Sequence, residues 1–288
     1  MPEAVYELAS PQTYAEIATS WNPGAAAFIL WVFVAYLVVI GPVRVRFRLG
    51  EPASPRRVAL FSAGLFAGFL AEASPLHLIS EVYLFSGHML QHILLTLVMP
   101  PLLILGTPEW CFRFLTKRWV LPIARALTSP IPALAIFNAA YTLWHLQALY
   151  QAALYNHNIH ILEHIVMVGT AFLMWWPLTS PLPELPRISE AAQVVYVFFM
   201  AAAQIGVFAV VTFAYEVFYP FYGAAPRIWG ITPHQDQQLA GIVMKLGGML
   251  VFLYVLTRAF FGWVRKEEAA ARARREAQAR IGHEARSS

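Results

Sequence analysis

Charged side chains and cysteine are both scarce in this 288-residue sequence. Only 12% of its residues are charged, whereas 59% are hydrophobic, and soluble globular domains do not show this balance. Cys111 is the single cysteine, which excludes an intramolecular disulfide, a cysteine zinc site and a CxxC redox pair. The first twenty residues contain Glu3, Glu7 and Glu16 but no Lys or Arg. They therefore lack the basic start of a cleavable signal peptide, and we expect the first span to act as the insertion signal.

The sequence also lacks the motifs of the common enzyme classes. It contains no phosphate-binding glycine loop, no Ser/His/Asp nucleophile pattern and no paired-carboxylate hydrolase pattern. No basic patch is interleaved with aromatic residues, as is typical of nucleic-acid binding. We therefore expect no enzymatic turnover and no nucleic-acid partner.

Long apolar runs are the main feature that is present. A helix needs about 20 apolar residues to cross a hydrocarbon core of roughly 30 Å, where backbone groups must pair internally. The runs predict an all-α integral membrane protein, with seven transmembrane helices in one domain over 24–263, an outer segment at 1–23 and a basic tail at 264–288. The prolines at Glu72-Ala-Ser-Pro75 and Pro100-Pro101 predict kinks or a re-entrant piece. The predicted spans are 24–43, 58–74, 84–105, 130–148, 159–179, 191–213 and 237–263.

The basic residues predict the orientation of these spans. Eighteen of the twenty Lys and Arg fall on one side, and the exceptions are Arg227, in an opposite loop, and Lys245, inside the last span. Because Lys and Arg accumulate in cytoplasmic loops, the N-terminus is predicted to lie outside and the C-terminus in the cytoplasm. We expect the tail to form a solvated helix against anionic lipid headgroups, with a docking site as the alternative.

Eight of the nine histidines fall on the predicted outer side. In HMLQH and again in HILEH two histidines are four residues apart, so on a helix their Cβ atoms lie about 6 Å apart on one face. A single histidine in a span is more often a hydrogen-bonding residue than a ligand, but several helices that deliver histidines to one level favour a metal site. The predicted ligands are His88, His92, His145, His160 and His164.

Acidic and further histidine residues are candidates for supporting roles. Glu163 and Asp236 could orient ligating imidazoles, although Glu163 could instead form a lone hydrogen bond between helices. Glu72 either belongs to the same layer or faces the headgroups. His157 would extend the second pair by one turn, and His234 lies just before the last span.

The residue types leave the metal open. Imidazole suits copper, zinc, iron and nickel, and two histidines on different helices can also hold haem. Thioethers favour Cu(I), and Met167 lies one turn below His164, but a methionine in an apolar span usually packs in the core. Met89 is expected to point off the face of His88.

Four segments together resemble the CtaG family of caa3-type cytochrome c oxidase assembly factors. They are HMLQHILLTLVMPPLLILGTP, LWHLQALYQAAL, HILEHIVMVGTAFLMWWPL and YPFYGAAPRIWGITPHQDQQLAGIVM, and the resemblance extends from about Leu84 to Gly248. The resemblance implies a multi-span protein of the bacterial plasma membrane that is needed to make an active haem–copper oxidase. It also implies oxidase subunits as partners and copper as the metal. The family's pattern falls on His88, His92, His145, His160, His164 and Asp236.

The sequence departs from the family pattern at two positions. Where the family reads DQxLAGxxMW, this chain has Lys245 after Met244, and an ammonium group there would repel a second cation. His234 is likewise not expected at its place. These departures allow a subfamily with a modified site or another client.

Three functions therefore remain in competition. The first is a metallochaperone that receives copper at the outer face and passes it to an oxidase. The second is a haem-binding electron-transfer protein, and the third is a structural subunit of an oxidase in which the histidines form a polar network. The oligomeric state stays open.

Overall fold

Helices account for the regular structure of residues 14–287, which this computed structural model describes, with side chains described as far as Gln278. No β-strand occurs within that range. Residues 1–13 of the predicted outer segment, and the tail side chains from 279 onward, lie outside the described residues. The helices are α1 (Tyr14–Thr19), α2 (Pro23–Val38), α3 (Pro55–Glu72), α4 (Pro75–Tyr83), α5 (Phe85–Gly106), α6 (Leu121–Thr128), α7 (Pro130–Trp144), α8 (Gln147–Tyr155), α9 (His157–Thr179), α10 (Glu190–Phe213), α11 (Pro220–Ala224) and α12 (Pro233–Ser287).

The described residues contain five helical segments that are long and apolar enough to cross a membrane. There are up to seven if each of two bent helix pairs counts as one span. The upper figure equals the predicted number, and an all-helical membrane protein is confirmed, but the choice of seven spans stays a prediction. The segments are Tyr14–Phe47, α5, α9, α10 and Pro233–Gln278, and the bent pairs are α3 with α4 and α6 with α7.

The predicted break after Glu72 lies between α3 and α4, which meet at an angle of 43°. Pro75 cannot donate a helical hydrogen bond, so it begins a new helix. The Ser74 side chain caps that helix by accepting a hydrogen bond from the backbone of Leu76. Because of this bend, α3 and α4 do not form one straight span.

Helix α5 is the central helix of the fold. It packs against α3, α9 and α12, and a π-helical turn at Leu94–Val98 precedes Pro100, where the proline nitrogen offers no proton. Near its other end, a side chain at Gly106 would collide with the backbone of Phe61 in α3. The contact requires glycine there, and it fixes the depth of α5 relative to α3.

Helix α9 begins at His157 because Asn156 caps it. The Asn156 side chain accepts hydrogen bonds from the backbone of Asn158 and Ile159. The cap puts the HILEH pair in the first turns of α9, while the HMLQH pair lies in the first turns of α5. Both pairs consequently lie at the N-terminal ends of two packed helices.

Helix α12 is continuous from Pro233 to Ser287. It does not break at residue 264, where the sequence analysis separates the membrane domain from the tail. Lys266, just beyond that position, lies 2.6 Å from the carboxylate of Glu190 at the start of α10. The tail therefore extends the last apolar helix without an intervening loop.

Candidate metal centre

Four imidazole rings from α5 and α9 converge at the N-terminal ends of these helices. The rings of His88 and His92 have centroids 4.4 Å apart, as have those of His160 and His164. Across the two helices, the centroids of His92 and His164 are 5.4 Å apart, and those of His88 and His160 are 5.6 Å apart. The i, i+4 spacing thus sets each pair on one helix face, and packing turns the two faces toward each other.

Three of these rings have the geometry of a metal-ion site. One ring nitrogen each from His88, His92 and His164 lies within 4.8 Å of the other two. His88 and His92 are buried and their Nε2 atoms are 2.8 Å apart, while His164 is partly exposed. We call His88, His92 and His164 the histidine triad. His160 lies beside it, against His164.

The second nitrogens of two triad rings are held by neighbouring groups. His164 Nδ1 is 3.0 Å from Glu72 Oε1, so it can donate its proton there and leave Nε2, which has no hydrogen-bond partner, as a free acceptor. The Tyr222 hydroxyl donates to Ser80 O and lies 3.3 Å from His88 Nδ1. Such partners select the tautomer and the ring orientation that a metal ligand requires.

Three carboxylates surround the rings. Glu163, only 1% exposed, has Oε1 3.8 Å from His92 Nε2, and neither of its oxygens has a hydrogen-bond partner. Glu72 contacts His164, and Glu81 Oε1 lies 3.0 Å from His160 Nε2. A buried carboxylate without a donor is costly unless a cation is close. The centre therefore offers negative charge as well as imidazole nitrogens.

Asp236 lies close to the centre, but none of the hydrogen bonds found for its carboxylate involves a histidine. Its oxygens accept hydrogen bonds from the backbone of Phe85 at 2.8 Å, from the backbone of Ser86 at 3.0 Å and from the Ser86 hydroxyl at 2.6 Å. These are the unpaired donors of the first turn of α5. Asp236 thus caps, from α12, the helix that carries His88 and His92.

The remaining predicted residues are not members of the triad, although His145 lines a small cavity together with His92. His145 follows α7, and its Nδ1 lies 2.7 Å from Tyr141 O while its Nε2 has no hydrogen-bond partner. His157 is exposed. His234 Nε2 lies 3.1 Å from Ala214 O, and Lys245 Nζ lies 5.7 Å from the centre of the Phe208 ring.

Three residues that surround the centre were not predicted from the sequence, namely Glu81, Gln91 and Tyr222. Glu81 lies in α4, a segment that was expected to be loop, and Tyr222 lies in the short helix α11. Gln91 is the middle polar residue of HMLQH, and its amide donates to Ala71 O at 3.1 Å. That residue could have been found, since a glutamine inside an apolar span needs a partner. The other two depend on tertiary packing.

One protein family matches most of this chain. The model of the family described as cytochrome c oxidase caa3 assembly factor (Caa3_CtaG) matches residues 34–266, which include the triad, the surrounding carboxylates and the Asp236 cap.

This chain belongs to the caa3-type cytochrome c oxidase assembly factor family. The resemblance found in the sequence is therefore confirmed at the level of the family. The match covers most of the chain and begins within the first long apolar segment, so it includes all the helices that form the metal centre.

Mycobacterial proteins are similar to this CtaG-family chain over nearly its whole length. The uncharacterized protein Mb0105 of Mycobacterium bovis is 24% identical over 92% of this chain and 42% of its own length. The uncharacterized protein ML1998 of Mycobacterium leprae is 23% identical over 92% of this chain and 43% of its own. The chain thus spans less than half the length of these curated relatives. No solved structure matches it.

Proposed function

We propose that the chain binds copper as cargo at the histidine triad and delivers it to a cytochrome c oxidase during assembly. Family membership supports the role in oxidase assembly. The bias of Lys and Arg toward one side supports a bacterial plasma-membrane protein whose triad faces the outer side. In this role the protein exchanges a bound ion with oxidase subunits and performs no turnover of its own.

The single observation that carries the copper proposal is the combination of the triad with Glu163. Three imidazole nitrogens within 4.8 Å of one another and the buried, unpartnered carboxylate of Glu163 form a small set of nitrogen and oxygen donors. Imidazole suits copper and zinc. The carboxylate, at 3.8 Å from His92 Nε2, balances part of the charge of a bound cation. The oxidase role favours copper over zinc as the cargo.

The geometry supports a small ion better than haem. The haem alternative needs two histidines on different helices, but the facing rings of α5 and α9 pack directly against each other, with centroids 5.4 Å apart for His92 and His164 and 5.6 Å apart for His88 and His160. The cavity beneath His92 has a volume of about 30 Å³, which suits a water molecule or an ion. The copper proposal expects no Soret band in the purified protein, whereas the haem alternative expects a strong one.

The test is metal analysis of protein purified without a histidine tag from copper-replete cells. We expect copper in the wild type and a lower copper content in the His88→Ala/His92→Ala double variant. His157→Ala is the matched control, because this exposed histidine lies outside the triad, and it should retain the wild-type copper content. A folded wild-type protein without copper, or with zinc in its place, would sink the proposal.

The same variants separate delivery from a structural role. Cells that carry the double variant should make oxidase with reduced copper content and activity, and His157→Ala cells should not. If the double variant folds, reaches the membrane and still supports a fully active oxidase, the histidines form only a polar network and the chain is a structural partner.

A further inference from the structure

A small cavity lined by methionine sulfur and imidazole lies directly beneath the histidine triad. The cavity has a volume of about 30 Å³, and three of the chain's eight methionines line it together with two histidines. Met89 follows His88 in α5, Met167 lies one turn beyond His164 in α9, and Met244 comes from α12. The two histidines are His92 and His145.

Two imidazole nitrogens of the residues that line this cavity have no hydrogen-bond partner. His145 is 5% exposed, its Nδ1 contacts Tyr141 O at 2.7 Å, and its Nε2 has no hydrogen-bond partner. The Nδ1–H can donate to Tyr141 O, which leaves a lone pair on Nε2. His92 Nδ1 is also without a partner. A buried, unpaired imidazole nitrogen destabilises the fold unless something binds it.

The chemistry of the lining selects the ligand. Thioether sulfur and imidazole are soft and borderline donors that suit Cu(I), whereas magnesium and calcium favour oxygen donors. The cavity holds no described carboxylate and no lysine in its lining, so its donors are neutral and suit a monovalent ion. Lys245, beside Met244, lines the neighbouring apolar groove instead.

We propose that Met89, Met167, Met244 and His145 form an inner Cu(I) site, with the ring of His92 between this site and the other two histidines of the triad. This inference rests on the proposed copper function and names the oxidation state of the cargo. Copper passes inward as Cu(I) throughout, exchanging bonds to His88 and His164 for bonds to thioethers, so the step requires neither an oxidant nor a reductant.

The test is NMR of protein labelled with ¹³C in the methionine methyl groups and titrated anaerobically with Cu(I), which is diamagnetic. We expect two Cu(I) per chain, and we expect the methyl signals of Met89, Met167 and Met244 to shift while those of the other methionines stay. Single Met→Leu variants assign the signals. Titration with Zn(II) should leave all of the methionine signals in place.

Two variants separate this inference from the proposed function. Met167→Leu/Met244→Leu preserves side-chain volume and should bind one Cu(I) instead of two, while His164→Ala should lose the triad copper and retain the methyl shifts. One bound Cu(I) without methyl shifts would overturn the inner site and leave the proposed function standing. No Cu(I) bound at all by the folded wild type would overturn both.

Discussion

At the scale of single residues, the orientation of His164 depends on Glu72. The carboxylate accepts the Nδ1 proton at 3.0 Å, and Nε2 is thereby left for a metal ion. Replacement of Glu72 by Gln removes the negative charge and weakens the hold on the ring. Loss of such an orienting partner typically lowers metal affinity 10–100-fold. We expect a Glu72→Gln variant to show this loss in a competition titration with a copper chelator.

The matched variant is Glu81→Gln. Glu81 makes the equivalent contact with His160, at 3.0 Å, but His160 is not a member of the triad. We expect this change to lower copper affinity less than Glu72→Gln does. Equal effects of the two substitutions would mean that His160 is a ligand in its own right and that the site contains four imidazoles.

The residues at the centre were predictable to the extent that they depend on local helix geometry. Spacing alone placed His88 with His92 and His160 with His164, because residues four apart share a face. Spacing could not find Glu81, whose position depends on how α4 packs against α5. Nor could it show that His145 lies beneath the triad, since that depends on the depth at which α7 ends.

At the scale of helices, the position of the triad depends on the cap between α12 and α5. Asp236 satisfies the backbone of Phe85 and Ser86, and loss of a cap costs about 0.5–2 kcal/mol. An Asp236→Ala variant should fray the first turn of α5, displace His88 and bind copper more weakly, although Asp236 itself touches no histidine of the triad. Hydrogen exchange at the start of α5, measured together with copper affinity, checks this.

Asp236→Asn is the control for the cap. Its side-chain oxygen can still accept one of the backbone hydrogen bonds, so hydrogen exchange should rise less than in Asp236→Ala. If Asp236→Ala lost copper without faster exchange in α5, the carboxylate would act on a ligating imidazole instead, which is the supporting role expected from the sequence.

Helix boundaries were predictable where proline or a cap marks them. Pro75 and Ser74 give the break after α3, as expected. The bend of 68° between α6 and α7 was not expected, although Pro130 follows Ser129 there, because 121–128 is too short to be recognised as part of a span. The role of Asp236 was also missed, since a cap supplied by a distant helix leaves no local pattern.

At the scale of the whole molecule, the predicted topology can be tested by cysteine labelling. The native Cys111 is half-buried, and burial raises its thiol pKa to about 11, so it reacts slowly at neutral pH because the thiolate is the nucleophile. In a Cys111→Ala background, we expect Asn158→Cys to react with an impermeant maleimide in intact cells. Ala277→Cys, in the exposed part of the tail, should react only after the membrane is opened.

The opposite labelling pattern would place the triad on the cytoplasmic side and exclude copper delivery at the outer face. Labelling of both positions in intact cells would mean an even number of crossings between residues 158 and 277. The sequence predicts an odd number there, since the distribution of Lys and Arg places the C-terminus in the cytoplasm and the loop before α9 outside.

The unbroken course of α12 links two distant parts of the protein mechanically. At about 1.5 Å per residue, roughly 60 Å of one helix separates Asp236 from Gln278, with the cap of α5 at one end and the basic tail at the other. A helix without a hinge transmits tilt along its length. A displacement of the tail therefore reaches the carboxylate that caps Phe85 and Ser86, and with it the first turn of the helix that carries His88 and His92.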